Sequence, residues 1–197
     1  MANILGLDVS TSIIGYAILP IGAAAYDPPI EMGHIDLRKC KDGFWQKTDT
    51  AKVEIEALCT KYNFEHIFIE DPLQKFRKGA SSAHTISLLS KFNALCSYFV
   101  RQAAGVDPVY IGATQARKLC SVPIIRKKKK KCIETPQKSA KEQTFDYLCT
   151  NVFINKEWPK TKKGNIQVYC GDQVDAYVIA LAGSIQNLNT PVTGTKI

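Results

Sequence analysis

One short apolar run that ends on an acid constrains this chain more than any other feature. Residues 3–7 read Asn-Ile-Leu-Gly-Leu, Asp8 follows, and after a small polar turn residues 13–19 resume an apolar run. This pattern predicts a β-hairpin whose first strand carries the Asp8 carboxylate out of the core. A carboxylate is costly to bury without a partner. Asp8 is therefore either a turn-former that accepts hydrogen bonds from the following amides or a functional acid.

Three further acids lie at the ends of predicted strands and helices. Residues 66–72 predict a short buried strand, which stops at Glu70 and Asp71 because the following proline cannot continue a central strand. Asp172 and Asp175 open the last predicted helix, and their three-residue spacing places both on one helical face. Each acid alone has an ordinary explanation as a surface residue or a helix cap. Two acids on one face repel each other unless a cation screens them, so the set favours a shared cation site.

The order of the predicted elements indicates an α/β fold. We expect a mixed five-stranded sheet with three antiparallel strands first and helices on both faces. The predicted strands cover residues 3–8, 13–19, 31–37, 66–72 and 108–111. The predicted helices run from Thr48 or Asp49 to Tyr62, from Ser81 or Ser82 to about Ala104, over 115–120 after a Thr114 cap, from Ser139 onward, and from Gly171 to about Ile185. In the first helix we place Val53, Ala57 and Leu58 on the inner face.

Length and composition favour one domain in a reducing compartment. The 197 residues are 45% hydrophobic, which is enough for a single core, and we assign residues 1–197 to one domain with a basic loop at 122–136 and a tail at 188–197. No apolar run reaches the length of a membrane span, and the N-terminus shows no export signal. The seven cysteines are odd in number and form no Cys-x-x-Cys pair, which argues against disulfides and structural zinc. We therefore expect a cytoplasmic protein.

The positive charge is concentrated in one block. The net charge is +8, and without residues 126–131 it is +2. A local excess of this kind favours contact with a polyanion, and nucleic acid is the preferred interpretation over a solvated loop. If the block contacts phosphates, neutralising it should flatten the salt dependence of duplex binding by about 0.9 per lost contact. The residues of the block are Arg126, Lys127, Lys128, Lys129, Lys130 and Lys131.

A second basic stretch surrounds one aromatic residue just after the predicted Glu70 strand. Phe76 stands among Lys75, Arg77 and Lys78. Basic residues around an aromatic ring suit backbone contact combined with stacking on an unpaired base. Packing of Phe76 under its own loop is the alternative.

With these motifs in order, the chain resembles the Holliday-junction resolvases of the RuvC type, within the ribonuclease-H-like nucleases. The matching pieces are residues 4–8 with Gly15-Tyr16, residues 67–70 and residues 171–176. Residues 138–143 also look like the lysine-bearing helix start of that family. The resemblance implies a ribonuclease-H-like sheet. The lysine block, the polar stretch at 155–167 and the Asp71-Pro72 pair depart from the family pattern, and the sequence leaves open whether this is a viral or bacteriophage member.

The resemblance implies a metal-dependent endonuclease that resolves four-way DNA junctions by paired symmetric nicks, leaving 5′-phosphate and 3′-hydroxyl ends. Two Mg²⁺ ions, which Mn²⁺ can replace, suit such a cluster of hard carboxylate oxygens. We assign Asp8 as the bridging ligand, and Glu70 and Asp175 as ligands on either side. Asp172 is a fourth ligand or a base. Lys141 is our choice for a cation beside the phosphate, with Lys138 as the alternative.

Further contacts complete the expectation for DNA and for a second subunit. Ser10 and Lys138 join the predicted DNA-binding set, and the family's junction-centre residue falls near Phe76 or Leu73. The helix at 82–104 is apolar on more than one face, which core packing alone could also explain. Because a four-way junction has approximate two-fold symmetry, a two-fold dimer supplies two matched sites. The candidate dimer contacts are Leu88, Leu89, Phe92 and Phe99.

Three other classes share parts of this pattern. Another ribonuclease-H-like enzyme, such as an RNase H or an integrase-like nuclease, would have the same acids, and dimer formation and junction preference discriminate it. An actin-like or sugar-kinase-like ATPase also begins with a strand ending in Asp and a small polar turn, as at residues 8–12, but needs two such domains. A catalytically inactive DNA-binding scaffold is the third class, and retention of all four acids argues against it.

Overall fold

The computed structural model describes residues 2–24, 26–72, 82–125 and 138–188. Its strands are β1 (Asn3–Val9), β2 (Ile13–Pro20), β3 (Glu31–Asp36), β4 (Phe64–Glu70) and β5 (Val109–Ile111). Its helices are α1 (Phe44–Lys61), α2 (Ala83–Ala104), α3 (Ala113–Leu119), α4 (Ala140–Asn151) and α5 (Tyr169–Leu188). None of the helices described is both long and apolar enough to span a membrane. Most of the predicted basic loop and of the predicted tail lies outside the described residues.

The five strands form one mixed sheet in the order β3-β2-β1-β4-β5. The first three strands pair antiparallel, whereas β4 pairs parallel with β1 and β5 pairs parallel with β4. The predicted α/β class, with three antiparallel strands first, is confirmed. β1 lies in the middle of the sheet, and every residue of it except Asp8 is buried. A central strand covered on both faces explains why its sequence is a continuous apolar run rather than an alternating one.

Helices cover both faces of the sheet and define two separate cores. Leu5 and Leu7 of β1 pack in a cluster with residues of α1 and α2. Ile4, on the other face of β1, packs in a cluster with residues of α3, α4 and α5. Successive side chains of a strand point to opposite faces. Asp8 therefore points to the same face as Ile4, which is the face that α5 covers.

Two glycines let α5 lie directly on the sheet. A Cβ at Gly6 would come within 2.3 Å of the Ala176 carbonyl oxygen, and a Cβ at Gly15 would come within 2.2 Å of the Asp172 carbonyl oxygen. These positions lie on β1 and β2, so only glycine allows the helix backbone to approach them this closely. The first turns of α5 are consequently fixed against the strands that carry and flank Asp8.

Some sequence-based details are wrong. α1 begins at Phe44 after Gly43 rather than at Thr48 or Asp49, and its buried face is formed by Thr48, Ala51, Ile55 and Leu58. Val53 is 62% exposed, and Ala57 is also exposed. The predicted inner face starts from the wrong apolar residue, because Ile55 and not Val53 lies on the same helical face as Leu58.

The predicted dimer contacts on α2 need one correction. Phe92 is fully buried, belongs to the core under α1 and α2, and makes an edge-on contact with Phe44 at 5.9 Å between ring centroids. Phe92 is therefore not accessible to a partner subunit. Phe99 is half-buried against the same core, and Leu88 and Leu89 are also half-buried, so these three remain predictions. The start of α2 is as predicted, since Ser82 caps it by accepting a hydrogen bond from the Thr85 amide at 3.1 Å.

Candidate active site

Two strands and one helix bring the four predicted acids to one edge of the sheet. β1 and β4 are parallel neighbours in which Leu7 pairs with Ile69, so Asp8 and Glu70 follow side by side. Glu70 shares its face with Phe68, which packs in the α5 core, so both acids point towards α5. The two carboxyl groups are close enough for each to influence the pKa of the other.

Lys141 joins this cluster from α4. Its Nζ lies 2.6 Å from Oδ1 of Asp172, 2.9 Å from Oδ2 of Asp175 and 3.4 Å from Oδ2 of Asp8. A capping box fixes the start of α4, because Ser139 accepts from the Glu142 amide and Glu142 accepts from the Ser139 amide. Lys141 follows this cap in the first helical turn, so its backbone is firmly placed. One ammonium group thus sits among three carboxylates.

The charges in this cluster are strongly coupled. Burial, together with the nearby Asp175 and Asp172, raises the pKa of Asp8 to about 6, although Lys141 opposes this. Burial and the charges of Asp8 and Asp175 raise the pKa of Glu70 to about 8. Burial alone would lower the pKa of Lys141, but the three surrounding aspartates outweigh it and hold the pKa well above the ordinary range. The cluster therefore carries more negative charge than Lys141 alone can balance.

Sequence reasoning missed Arg117, which is the second cation of the site. Arg117 lies on α3, and its Nη2 is 3.2 Å from Oδ1 of Asp175, with the two side chains only 15% and 7% exposed. Asp175 is thus held by Arg117 on one oxygen and by Lys141 on the other. Arg117 also lines a narrow recess together with Glu70 and Asp175, and its charge acts to lower the pKa of Glu70. The only signal in the sequence is a single arginine in a short helix after β5, which no spacing rule connects to the acids.

Replacing Arg117 should destabilise the fold through Asp175. In Arg117→Gln a buried carboxylate keeps only one of its two cationic partners, and we expect a loss of about 2–3 kcal/mol in the free energy of unfolding. Urea unfolding at pH 7 measures this loss. The control is Arg101→Gln, which breaks a solvent-exposed ion pair with Asp107 and should change the midpoint little. Equal urea unfolding midpoints for the two variants would show that Arg117 does not stabilise the buried Asp175.

The raised pKa values of Asp8 and Glu70 predict a pH dependence for the metal-free protein. Each group binds its proton more tightly in the folded than in the unfolded state, so the stability it contributes is present at low pH and is lost as pH rises through the folded pKa. We expect the unfolding midpoint in EDTA to fall between about pH 5 and pH 8. In Glu70→Gln the fall should be smaller, because one of the two titrating groups is absent. A wild-type midpoint that rises over this range would contradict the prediction.

The structure keeps two other predicted residues out of the acid cluster. The Ser10 hydroxyl closes the β1–β2 turn, since it accepts from the Ile13 amide at 3.0 Å and donates to the Ile13 carbonyl at 2.7 Å. Lys138 pairs with Asp146 on the surface of α4 at 2.5 Å. Of the two lysines considered for the site, the geometry thus favours Lys141. The remaining predicted DNA-binding residues, and Leu73, lie outside the described residues: Lys75, Phe76, Arg77, Lys78, Arg126, Lys127, Lys128, Lys129, Lys130 and Lys131.

The acid cluster fits a divalent cation in its chemistry. In the part of the chain that the structure describes, no three His, Cys, Asp or Glu side chains are already spaced as a metal-ligand set. Instead the Lys141 ammonium stands among Asp8, Asp172 and Asp175, which marks a position where a cation is stabilised. Carboxylate oxygens are the ligands that Mg²⁺ and Mn²⁺ prefer. Asp8, Glu70, Asp172 and Asp175 are thus a suitable donor set.

Comparison with solved structures connects this architecture to a known fold. The structure of Thermus thermophilus RuvC in complex with a Holliday junction substrate superposes with a TM-score of 0.59 over 96% of this chain and 97% of that chain, at 12% identity. The yeast mitochondrial Holliday junction resolvase superposes with a TM-score of 0.56 over 94% of this chain and 81% of that chain, at 13% identity.

This chain has the same fold as RuvC.

The resemblance inferred from the acid motifs is therefore confirmed at the level of the fold. No protein-family model matches the sequence, and no curated protein matches it either. At identities of 12% and 13% the superposition reports architecture, so chemistry has to be argued from the residues of this chain. Within the RuvC-type fold, those residues are the acids of β1, β4 and α5, with Lys141 and Arg117 beside them.

Proposed function

We propose that this protein is a metal-dependent endonuclease that resolves four-way DNA junctions. The observation that carries the proposal is the convergence of Asp8, Asp172 and Asp175 on Lys141, with Glu70 at the end of the strand beside Asp8. The fold supports the choice of substrate, because structures that share it include a resolvase bound to a Holliday junction. The cytoplasmic setting is part of the same proposal, and the six cysteines described are free, as a reducing compartment requires.

In the proposed reaction, the acids hold two divalent cations, Mg²⁺ or Mn²⁺. When bound, these ions supply Lewis-acid stabilisation of charge at the scissile phosphate and a more acidic water. Asp8 is central because it neighbours both Glu70 and the α5 acids, so we assign it the bridging position. Glu70 and Asp175 would be further ligands of the ions, and Asp172 would be a fourth ligand or a base. The oxygen of water forms the new bond to phosphorus, and the bond from phosphorus to the 3′ oxygen breaks, which leaves 5′-phosphate and 3′-hydroxyl ends.

The two cations of the protein have separate roles in this proposal. Lys141 balances the acids in the metal-free protein, and in the metal-loaded protein it would donate a hydrogen bond to a non-bridging phosphate oxygen. Arg117 stays behind Asp175 and orients that carboxylate through their ion pair. This division follows from exposure, since the Lys141 side chain is 42% exposed and the Arg117 side chain 15%.

The experiment that tests the proposal is incubation with an end-labelled four-way junction, with and without Mg²⁺. We expect two nicks at symmetric positions in opposed strands, only with the metal, and products that DNA ligase reseals because each nick carries a 5′-phosphate. A linear duplex and an RNA–DNA hybrid of the same sequences serve as controls. Cleavage of the hybrid but not of the junction would favour an RNase H instead.

The proposed function also implies a particular oligomeric state. A junction needs two matched cuts, and a two-fold dimer provides two identical sites in that relation. We expect a homodimer by light scattering, both free and on a junction. Leu88→Glu should yield a monomer that binds junctions poorly, whereas Lys91→Glu, at an exposed α2 position, is the matched control. A monomer in both states would favour a single-site ribonuclease-H-like nuclease.

A further inference from the structure

A small hairpin precedes α5 and is an ordered element. It covers residues 159–167, which we term the basic hairpin, and Lys160 pairs with Ile166 in an antiparallel bridge. The Thr161 amide donates to the Asn165 carbonyl at 2.7 Å, and the Gln167 amide donates to the Pro159 carbonyl at 2.9 Å. Gly164 closes the turn with a φ of 82°, in the left-handed region that glycine adopts without strain. The backbone of the basic hairpin is therefore held by its own hydrogen bonds.

The charge of the basic hairpin is unbalanced. It contains three lysines and no acid, and all three lysines are exposed. Several surface lysines elsewhere have acidic partners, such as Lys61 with Glu31 and Lys138 with Asp146. No salt bridge reaches the hairpin lysines from the described residues. Three exposed positive charges on one short ordered turn attract a polyanion. The three residues are Lys160, Lys162 and Lys163.

The chain places the basic hairpin beside the acid cluster. The hairpin ends at Gln167, α5 begins at Tyr169, and Asp172 lies in the first turn of that helix. The Tyr169 ring stacks on His34, with ring centroids 3.8 Å apart and planes 9° apart. His34 pairs with Gly15, the residue on which Asp172 rests, so the root of the hairpin is fixed to the edge of the sheet that carries the acids.

The distance between the basic hairpin and the acid cluster has an upper limit. Six extended residues from Lys163 to Tyr169 span at most about 22 Å, and three helical residues add about 4.5 Å. The Cα atoms of Lys163 and Asp172 are therefore no more than roughly 26 Å apart. At 3.4 Å per base pair, this distance corresponds to at most about eight base pairs of duplex. A duplex arm seated on the acids is thus within reach of the hairpin lysines.

From these observations we propose that the basic hairpin is a second DNA-binding site, which holds backbone phosphates of the duplex arm that flanks the cut. The proposal rests on the proposed nuclease function, because it takes the acid cluster as the place where DNA is cut. Lysine contacts to phosphate position the duplex without reading its sequence. The site therefore adds affinity and orientation on any sequence, and its residues are other than those of the lysine block at 126–131.

Binding measurements test the proposal without cleavage. The triple variant Lys160→Gln/Lys162→Gln/Lys163→Gln is compared with the wild type on a four-way junction in EDTA, over a range of salt concentrations. We expect an affinity at least about tenfold lower at 0.1 M salt. We also expect the slope of log affinity against log salt to fall by up to about 2.7, at about 0.9 for each lost contact. Hydroxyl-radical footprinting should show lost protection within about eight base pairs of the cut.

A charge-matched control removes the same charge from the opposite side of the sheet. Lys52→Gln/Lys91→Gln/Arg101→Gln lies on α1 and α2 and should keep the wild-type slope. If the wild type binds the junction and the hairpin variant keeps the same affinity and slope, the proposal is overturned and the nuclease function stands. If the wild type itself fails to bind a junction, the nuclease function fails with it.

Discussion

The Asp8→Asn variant is expected to bind four-way junctions as the wild type does and to lose about 100- to 1,000-fold or more of its metal-dependent cutting rate. The substitution keeps the volume of the side chain and removes the charge at the point where Glu70, Asp172 and Asp175 converge. Binding should survive, because affinity for a polyanion rests on the basic surface rather than on an acid. Cutting rates on labelled junctions and gel-shift affinities in EDTA measure the two effects separately.

The Asp8→Asn variant should also differ from the wild type in thermal stability, which an activity assay does not measure. Because the pKa of Asp8 is raised to about 6, ionised Asp8 destabilises the metal-free fold at neutral pH, and the neutral Asn should relieve this cost. We therefore expect Asp8→Asn to unfold at a higher temperature than the wild type in EDTA, and to gain less from added Mg²⁺. Asp49→Asn, an exposed acid on α1, is the matched control and should behave as the wild type. A cutting rate within a few-fold of the wild type would exclude Asp8 from the metal site.

The acids could be predicted from the sequence because strands impose a simple geometry. β1 and β4 are short apolar runs that each end on an acid, so the sequence predicts Asp8 and Glu70 at strand ends, and the resemblance assigns them to one site. The three-residue spacing likewise placed Asp172 and Asp175 on one face of α5. Lys141 could be selected only through the resemblance, since nothing local separates it from Lys138. The structure distinguishes the two by the ion pairs they form.

The contact of Arg117 and the burial of Phe92 could not be predicted from local sequence patterns. Arg117 reaches Asp175 across 58 positions of the chain, through the packing of α3 against α5, which no local pattern encodes. Phe92 lies on a helix with apolar residues on several faces, and only the position of α1 decides which of them is covered. Both outcomes depend on how helices pack onto the sheet, whereas the sequence pattern reports only which side chains share a face.

Gly15→Ala is expected to cause the second large effect, although the residue carries no functional group. The added Cβ would stand 2.2 Å from the Asp172 carbonyl oxygen and 2.4 Å from its carbonyl carbon. Both are backbone atoms, so the first turn of α5 has to move away from β2 together with Asp172 and Asp175. We expect about 1–3 kcal/mol of lost stability, and a cutting rate lower by about 100-fold, because misplacement by about 1 Å is enough for such a loss.

Urea unfolding and junction cutting measure the two parts of this effect, and a second glycine supplies the control. A methyl group added at Gly112 would meet open space, and the φ of −68° suits any residue, so Gly112→Ala should change stability and cutting little. Titration with Mg²⁺ separates a displaced site from a weakened fold, since at a temperature where both proteins are folded Gly15→Ala should still require more metal than Gly112→Ala. Equal metal requirement and equal cutting in the two variants would show that the close contact between β2 and α5 does not position the acids.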